Sequence, residues 1–182
     1  MGMNERSKHV FLLTGEPRIG KSTMIKNLIY DIGSNHFVGF YTEEIPGASD
    51  RAGFRCVSIQ GEGVELAHVD STSTTRIGRY GVHIEAFETF ALKALQSAVG
   101  SRKIIVIDEI GFMQMLSDSF QKKVQEIIAG HNVVVGTVPL NSHPAIDKLK
   151  HSQKVKLIEI DAFNRDRMSE ILVTDILNLI DN

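Results

Sequence analysis

Cysteine occurs once among the 182 residues, at Cys56. One thiol excludes an internal disulfide and leaves too few thiolates for a zinc cluster. It sits in an apolar-rich stretch, so it reads as a small core or sheet residue. Charge of one sign is equally scarce, because 20 Lys and Arg stand against 22 Asp and Glu, a formal net charge of -2. That balance gives no global field for gripping nucleic acid or an anionic membrane, though a local basic patch stays open. No run of about 18 apolar residues exists, so nothing is expected to span a membrane. The apolar run from Val10 to Leu13 is too short for a signal-peptide core, and Gly2 is followed by Arg6 where myristoylation needs Ser or Thr. A reducing, cytoplasmic setting is the expectation that remains.

What is present is ordinary globular composition, 42% hydrophobic and 23% charged, which argues against disorder. The length suits one domain, residues 1–182, with one main core. Three short apolar runs read as buried parallel strands: Val10 to Leu13, Ile104 to Ile107 and Val133 to Val135. A fourth, Lys154 to Ile160, mixes charge with apolar residues and belongs nearer a sheet edge. Between them lie one-sided helical stripes. Met24, Ile25, Leu28, Ile29 and Ile32 form the first, from Lys21. The others run through Phe87 to Ala98, Leu116 to Ile128 and Met168 to Leu179. Gly33, Gly100 and Gly130 follow helical patterns, as left-handed C-terminal caps do. Strands alternating with helices predict an α/β fold, a mainly parallel sheet covered on both faces. Val38 to Ile45, Phe54 to Gln60 and Val64 to Val69 break the alternation and predict an antiparallel hairpin elaboration after the first helix. The polar run Ser71 to Thr75 reads as a mobile loop.

The most specific local motif is Gly15-Glu16-Pro17-Arg18-Ile19-Gly20-Lys21-Ser22, followed by Thr23. It matches GxxxxGK[ST] in full and lies between a buried strand and an amphipathic helix, the setting a phosphate loop requires. Gly15 and Gly20 free the backbone to turn successive N–H groups onto phosphate oxygens, and the helix N-terminus adds unpaired donors. Lys21 is expected on the β and γ phosphates, and Ser22 on Mg²⁺.

The run Ile104 to Ile107 ends in Asp108-Glu109. A carboxylate closing a buried strand beside a phosphate loop suits Mg²⁺, so Asp108 joins Ser22 as a metal candidate. Glu109, one residue past the strand, is the candidate for polarising an attacking water. Thr137, just after the third buried run, is placed to sense a γ-phosphate or to serve as a plain sheet-end residue. Asp108 to Gly111 also fits the DxxG of small GTPases, but no guanine-reading NKxD accompanies it.

Several further segments match one family. They are Gly39-Phe40-Tyr41-Thr42-Glu43-Glu44-Ile45, Arg51 with Gly53-Phe54, Arg79-Tyr80 with Val82, Val106 to Gly111 with Met113, Thr137-Val138-Pro139, and Asn164-Arg165. With the Thr14 to Thr23 loop, they make the chain resemble the small nucleoside-triphosphatases first described from thermophiles, relatives of the cancer-related nucleoside triphosphatase. The resemblance implies a three-layer P-loop fold. It also implies slow, Mg²⁺-dependent hydrolysis of ATP, GTP and other triphosphates to the diphosphate, with loose base preference. Two departures stand out: Arg18 where the family usually has Gly, and Phe112 and Gln114 where it usually has Lys and Glu. Arg51, Arg76, Arg79 and Arg165 are candidates for stabilising the transferring phosphoryl group. Arg165 is preferred among them, since it opens the last helix after the fourth strand.

Two other readings stay open at this point: a P-loop kinase passing the γ-phosphate to a small acceptor, and a nucleotide-controlled interaction module. A nucleoside triphosphate is the expected small-molecule partner in each. No feature favours nucleic acid, and a monomer or weak oligomer is expected.

Overall fold

A computed structural model describes residues 8–181, so the reading of Gly2 and Arg6 lies outside the described residues. Fourteen elements follow in chain order: β1 (Val10–Thr14), α1 (Lys21–Ile32), β2 (Phe37–Pro46), β3 (Arg51–Ser58), β4 (Gly63–His68), β5 (Arg76–Ile77), β6 (Tyr80–Val82), α2 (Ile84–Ala94), β7 (Ile104–Ile107), α3 (Asp118–Ala129), β8 (Val134–Thr137), α4 (Pro144–Lys150), β9 (Val155–Glu159) and α5 (Arg165–Ile180). All strands join one sheet in the order β5-β6-β4-β3-β2-β7-β8-β1-β9. From β2 to β9 every pairing is parallel, and from β2 to β5 every pairing is antiparallel.

Strand periodicity divides the parallel half between two cores. Val10 and Leu12 of β1 join Ile105 and Ile107 of β7 on one face, beneath α2, α3 and α4. Phe11, Leu13, Ile104 and Val106 point the other way, onto Met24, Ile25 and Leu28 of α1 and Leu172 and Ile176 of α5. Successive side chains of a strand face opposite sides, so an unbroken apolar run needs helices on both. The three-layer α/β architecture expected from the sequence is what forms.

Strand β2 carries the turnover from parallel to antiparallel pairing. Its first four residues pair with β7, and Phe40 to Pro46 pair with β3. Gly39 makes the join possible: φ is +113°, and a Cβ there would lie 2.0 Å from the Val106 carbonyl oxygen. Phe40 fills the space below, 5.9 Å from Phe87, 5.8 Å from Phe90 and 6.1 Å from Phe120, centroid to centroid.

Two local expectations are corrected, and a third gains detail. Gly130 has φ -71° and is extended, so it is no left-handed cap. Helix α2 stops at Ala94, with Leu95 as its cap; the buried Leu95 and Ala98 continue the stripe through turns, and Gly100 lies beyond them. Ser71 to Thr75 is a hydrogen-bonded loop: Ser73 Oγ donates to the Val82 carbonyl at 2.8 Å, and Val82 N–H donates to the Thr75 carbonyl at 2.8 Å. Its hydroxyls satisfy backbone groups, which accounts for the polar composition. Among the described residues no helix is long and apolar enough to cross a membrane.

Candidate functional site

The phosphate-loop segment links the carboxyl end of β1 to the start of α1. Gly15 adopts φ +148°, with the Ile160 carbonyl oxygen 2.4 Å from where a Cβ would stand, so no other residue fits. Gly20, at φ +110°, turns the chain into the first helical turn. Lys21 Nζ donates to the carbonyls of Gly15 and Glu16 at 2.8 and 2.9 Å. Its ammonium therefore hangs over the loop's concave side. Burial lowers its pKa, against the pull of Glu109, Asp108 and Glu16.

Strand β7 delivers the carboxylates to the same place. Asp108 is 1% exposed, and its Oδ1 accepts from Thr137 Oγ1 at 2.5 Å. Oδ2 is buried and has no hydrogen-bond partner. Burial raises the Asp108 pKa, while Thr137, Ser22 and Lys21 act to lower it. Burial, with the Asp108 charge beside it, pushes Glu109 up to about 7, against Lys21 and Arg51. Thr42 of β2 donates from Oγ1 to the Asp108 carbonyl at 2.6 Å and fixes where the strand ends.

These groups open into one cavity of about 830 Å³, which contains Gly15, Lys21, Ser22, Asp108, Glu109 and Thr137 together. A buried carboxylate oxygen without a partner, beside a serine hydroxyl, is the donor set a hard divalent cation takes. Among the described residues no cluster of three or more His, Cys, Asp or Glu could cage a metal alone.

The far wall comes from the antiparallel extension. Arg18, the one non-glycine residue with positive φ (63°) among the described residues, bonds Asp50 at 2.8 Å and Glu44 at 3.3 Å. Arg51 bonds Glu44 at 2.7 Å, and Arg79 bonds Asp50 at 2.8 Å. Glu43 is held by Lys26 and Arg55. Glu43 and Glu44 are thus ion-paired wall residues of the cavity.

The four candidate arginines separate. Arg51 shares the cavity with Glu109. Arg76 donates to the carbonyls of Ser71, Val69 and Arg79, and Arg79 is committed to Asp50, Tyr80 and the Arg51 carbonyl. Arg165 lies on the other side of the phosphate loop, 3.9 Å from the Cβ position of Gly20. There it lines a second cavity of about 350 Å³ with Thr23, Asn27 and Ser169. Asn164 makes no cap bond to α5; it ties the preceding turn, donating to the Glu159 carbonyl at 2.9 Å and accepting from Asp161 N–H at 2.9 Å. Sequence reasoning missed Thr42 and Lys26. Thr42 at least sits inside the segment that carried the resemblance.

With this geometry in view, comparison with known proteins is consistent throughout. The model of the NTPase family matches residues 10–173. The chain is 35% identical over 165 residues to the nucleoside-triphosphatase THEP1 of Thermotoga petrophila, covering 88% of this chain and 89% of that protein. The crystal structure of THEP1 from the hyperthermophile Aquifex aeolicus superposes with a TM-score of 0.83 at 34% identity, covering 95% of this chain and 99% of that one. The solution structure of a human cancer-related nucleoside triphosphatase gives a TM-score of 0.78 at 30% identity, with coverage of 93% and 97%.

Proposed function

This chain belongs to the NTPase family, and from that premise we propose that it hydrolyses nucleoside 5'-triphosphates to diphosphate and phosphate with Mg²⁺. The observation that carries the reading is the convergence of Lys21, Ser22, Asp108 and Glu109 on one cavity beneath the phosphate loop. The loop N–H groups and Lys21 hold the β and γ phosphates. Ser22 and the partnerless Oδ2 of Asp108 would hold the cation, which would supply neutralisation of phosphate charge. Glu109 takes a proton from water as the water oxygen bonds to the γ-phosphorus. The bond from that phosphorus to the bridging oxygen breaks, and the nucleoside diphosphate leaves with the electron pair. Lys21 offsets the negative charge that builds on the leaving oxygen.

The γ end of the substrate belongs with Glu109, so the nucleoside end leaves across Gly20 and Thr23, the edge shared with the second cavity. That cavity offers the side chains of Arg165, Asn27 and Ser169 around an open space. Flat groups stack on any base, which supports loose base preference.

Phosphate release from ATP, GTP, CTP and UTP, with and without Mg²⁺, tests the reading. We expect all four to be hydrolysed and Glu109→Gln to lower kcat by about 10²–10⁴-fold while nucleotide binding persists. Full-rate turnover by Glu109→Gln, or phosphate transfer to an added acceptor in place of release, defeats it.

A further inference from the structure

The stretch after Glu109 places a second polar side chain against it. Gln114 is 1% exposed at the start of the 3-10 turn Gln114–Leu116, and its Oε1 has no hydrogen-bond partner. That oxygen lies 2.7 Å from the point where a Cβ on Gly111 would stand, and Glu109 Oε1 lies 2.6 Å from the same point. The two side-chain ends therefore face each other over a residue with no side chain to separate them. Alanine at 111 would collide with both.

The turn that presents Gln114 is well anchored. Ile110 N–H donates to the Thr137 carbonyl at 2.9 Å, Met115 N–H to the Gly111 carbonyl at 2.9 Å, and Gln121 Nε2 to the Met115 carbonyl at 2.6 Å. A glutamine amide turned end for end fills the same volume and presents Nε2, a donor, where Oε1 stands. Facing a carboxylate, the donor end is the favourable one, and a buried polar group is normally satisfied by such a neighbour.

We propose that Gln114 is a positioning residue for Glu109. Its amide donates to Glu109 Oε1, directly or through one water, and so aims the other carboxylate oxygen at the attacking water. The inference rests on the reading of Glu109 as the water-activating group.

A double-mutant cycle tests the idea through phosphate release at saturating Mg²⁺ and ATP, with the full chain. Gln114→Leu should lower kcat about tenfold and leave KM within about twofold, a loss on the scale of one hydrogen bond. In the Glu109→Gln background the same change should cost less than about twofold, because its effect passes through the carboxylate. Gln114→Met, which keeps the length of the side chain, repeats the cycle if the leucine variant does not fold. Equal losses in both backgrounds, or no loss in either, overturn the proposal while leaving the hydrolase reading intact. Undiminished turnover by Glu109→Gln alone overturns both, so the two failures are told apart.

Discussion

The two halves of the sheet are built on different terms. In the parallel half, β1, β7 and β8 are buried at every residue and bear mostly aliphatic side chains. In the antiparallel extension, β3 and β4 mix buried, half-buried and exposed positions, and the exposed Arg55 is ion-paired with Glu43. The parallel half supplies the phosphate loop and both carboxylates at its strand ends. The extension supplies the charged wall opposite them. The doubly covered sheet brings Asp108 to its strand end buried, and burial raises the pKa of both Asp108 and the half-buried Glu109, with the Asp108 charge adding to the shift at Glu109. The half-exposed extension keeps its charges paired and near their ordinary cost. Function thus sits where rigid, apolar strand ends meet an adaptable polar rim.

The sharpest way to break this picture is at the seam. Phe40 is fully buried on β2 and packs edge-on to Phe87 and Phe90, tying the strand that both halves share to α2. Phe40→Ala should cost about 3–5 kcal/mol by urea unfolding, the range for emptying a buried phenylalanine site. It should also lower cooperativity if the halves come apart. A loss under about 1 kcal/mol would mean that the extension is held by its ion pairs and not by this aromatic cluster.

The same division explains what was readable beforehand. Val10 to Leu13 and Ile104 to Ile107 announce themselves as apolar runs, and the loop from Gly15 to Ser22 needs only its own letters and a flanking strand and helix. The order of strands does not follow from local pattern: nothing in Val133 to Val135 says that β8 will lie between β7 and β1. Nor does Gly39 look unlike any other glycine until Val106 comes up beside it. Arg51 and Arg165 were both legible as candidates, yet their separation into two cavities depends on folding the extension over one side of the loop and α5 on the other. The hydrogen bonds of the Ser71 to Thr75 loop were not legible for a related reason, since its hydroxyl partners include a carbonyl on β6.

Thr42 offers a smaller and more local sharpening of the comparison. It stands on β2 just past the seam, and its hydroxyl reaches from the extension side to the Asp108 carbonyl. Thr42→Val keeps the shape and removes the donor, leaving a backbone acceptor short of a partner. The expected cost is about 1–2 kcal/mol in unfolding free energy, with kcat down about tenfold as the Asp108-Glu109 link loses its tether. Unchanged kcat with reduced stability would show that the parallel half aligns its carboxylates unaided.

The smallest effect is expected at Arg18, where the rim meets the loop. Its backbone is held at φ 63°, a conformation that a side chain resists and glycine does not. Against that stand ion pairs to Glu44 and Asp50 between largely exposed groups, which contribute little in water. Arg18→Gly removes both at once, so the sign of the change weighs one against the other. Relief of the backbone should win, raising Tm by about 2–4 °C. A fall of similar size would place the three arginines and two carboxylates among the structural ties of the molecule. The charged rim would then be part of what holds the halves together, and no longer only the wall of a site.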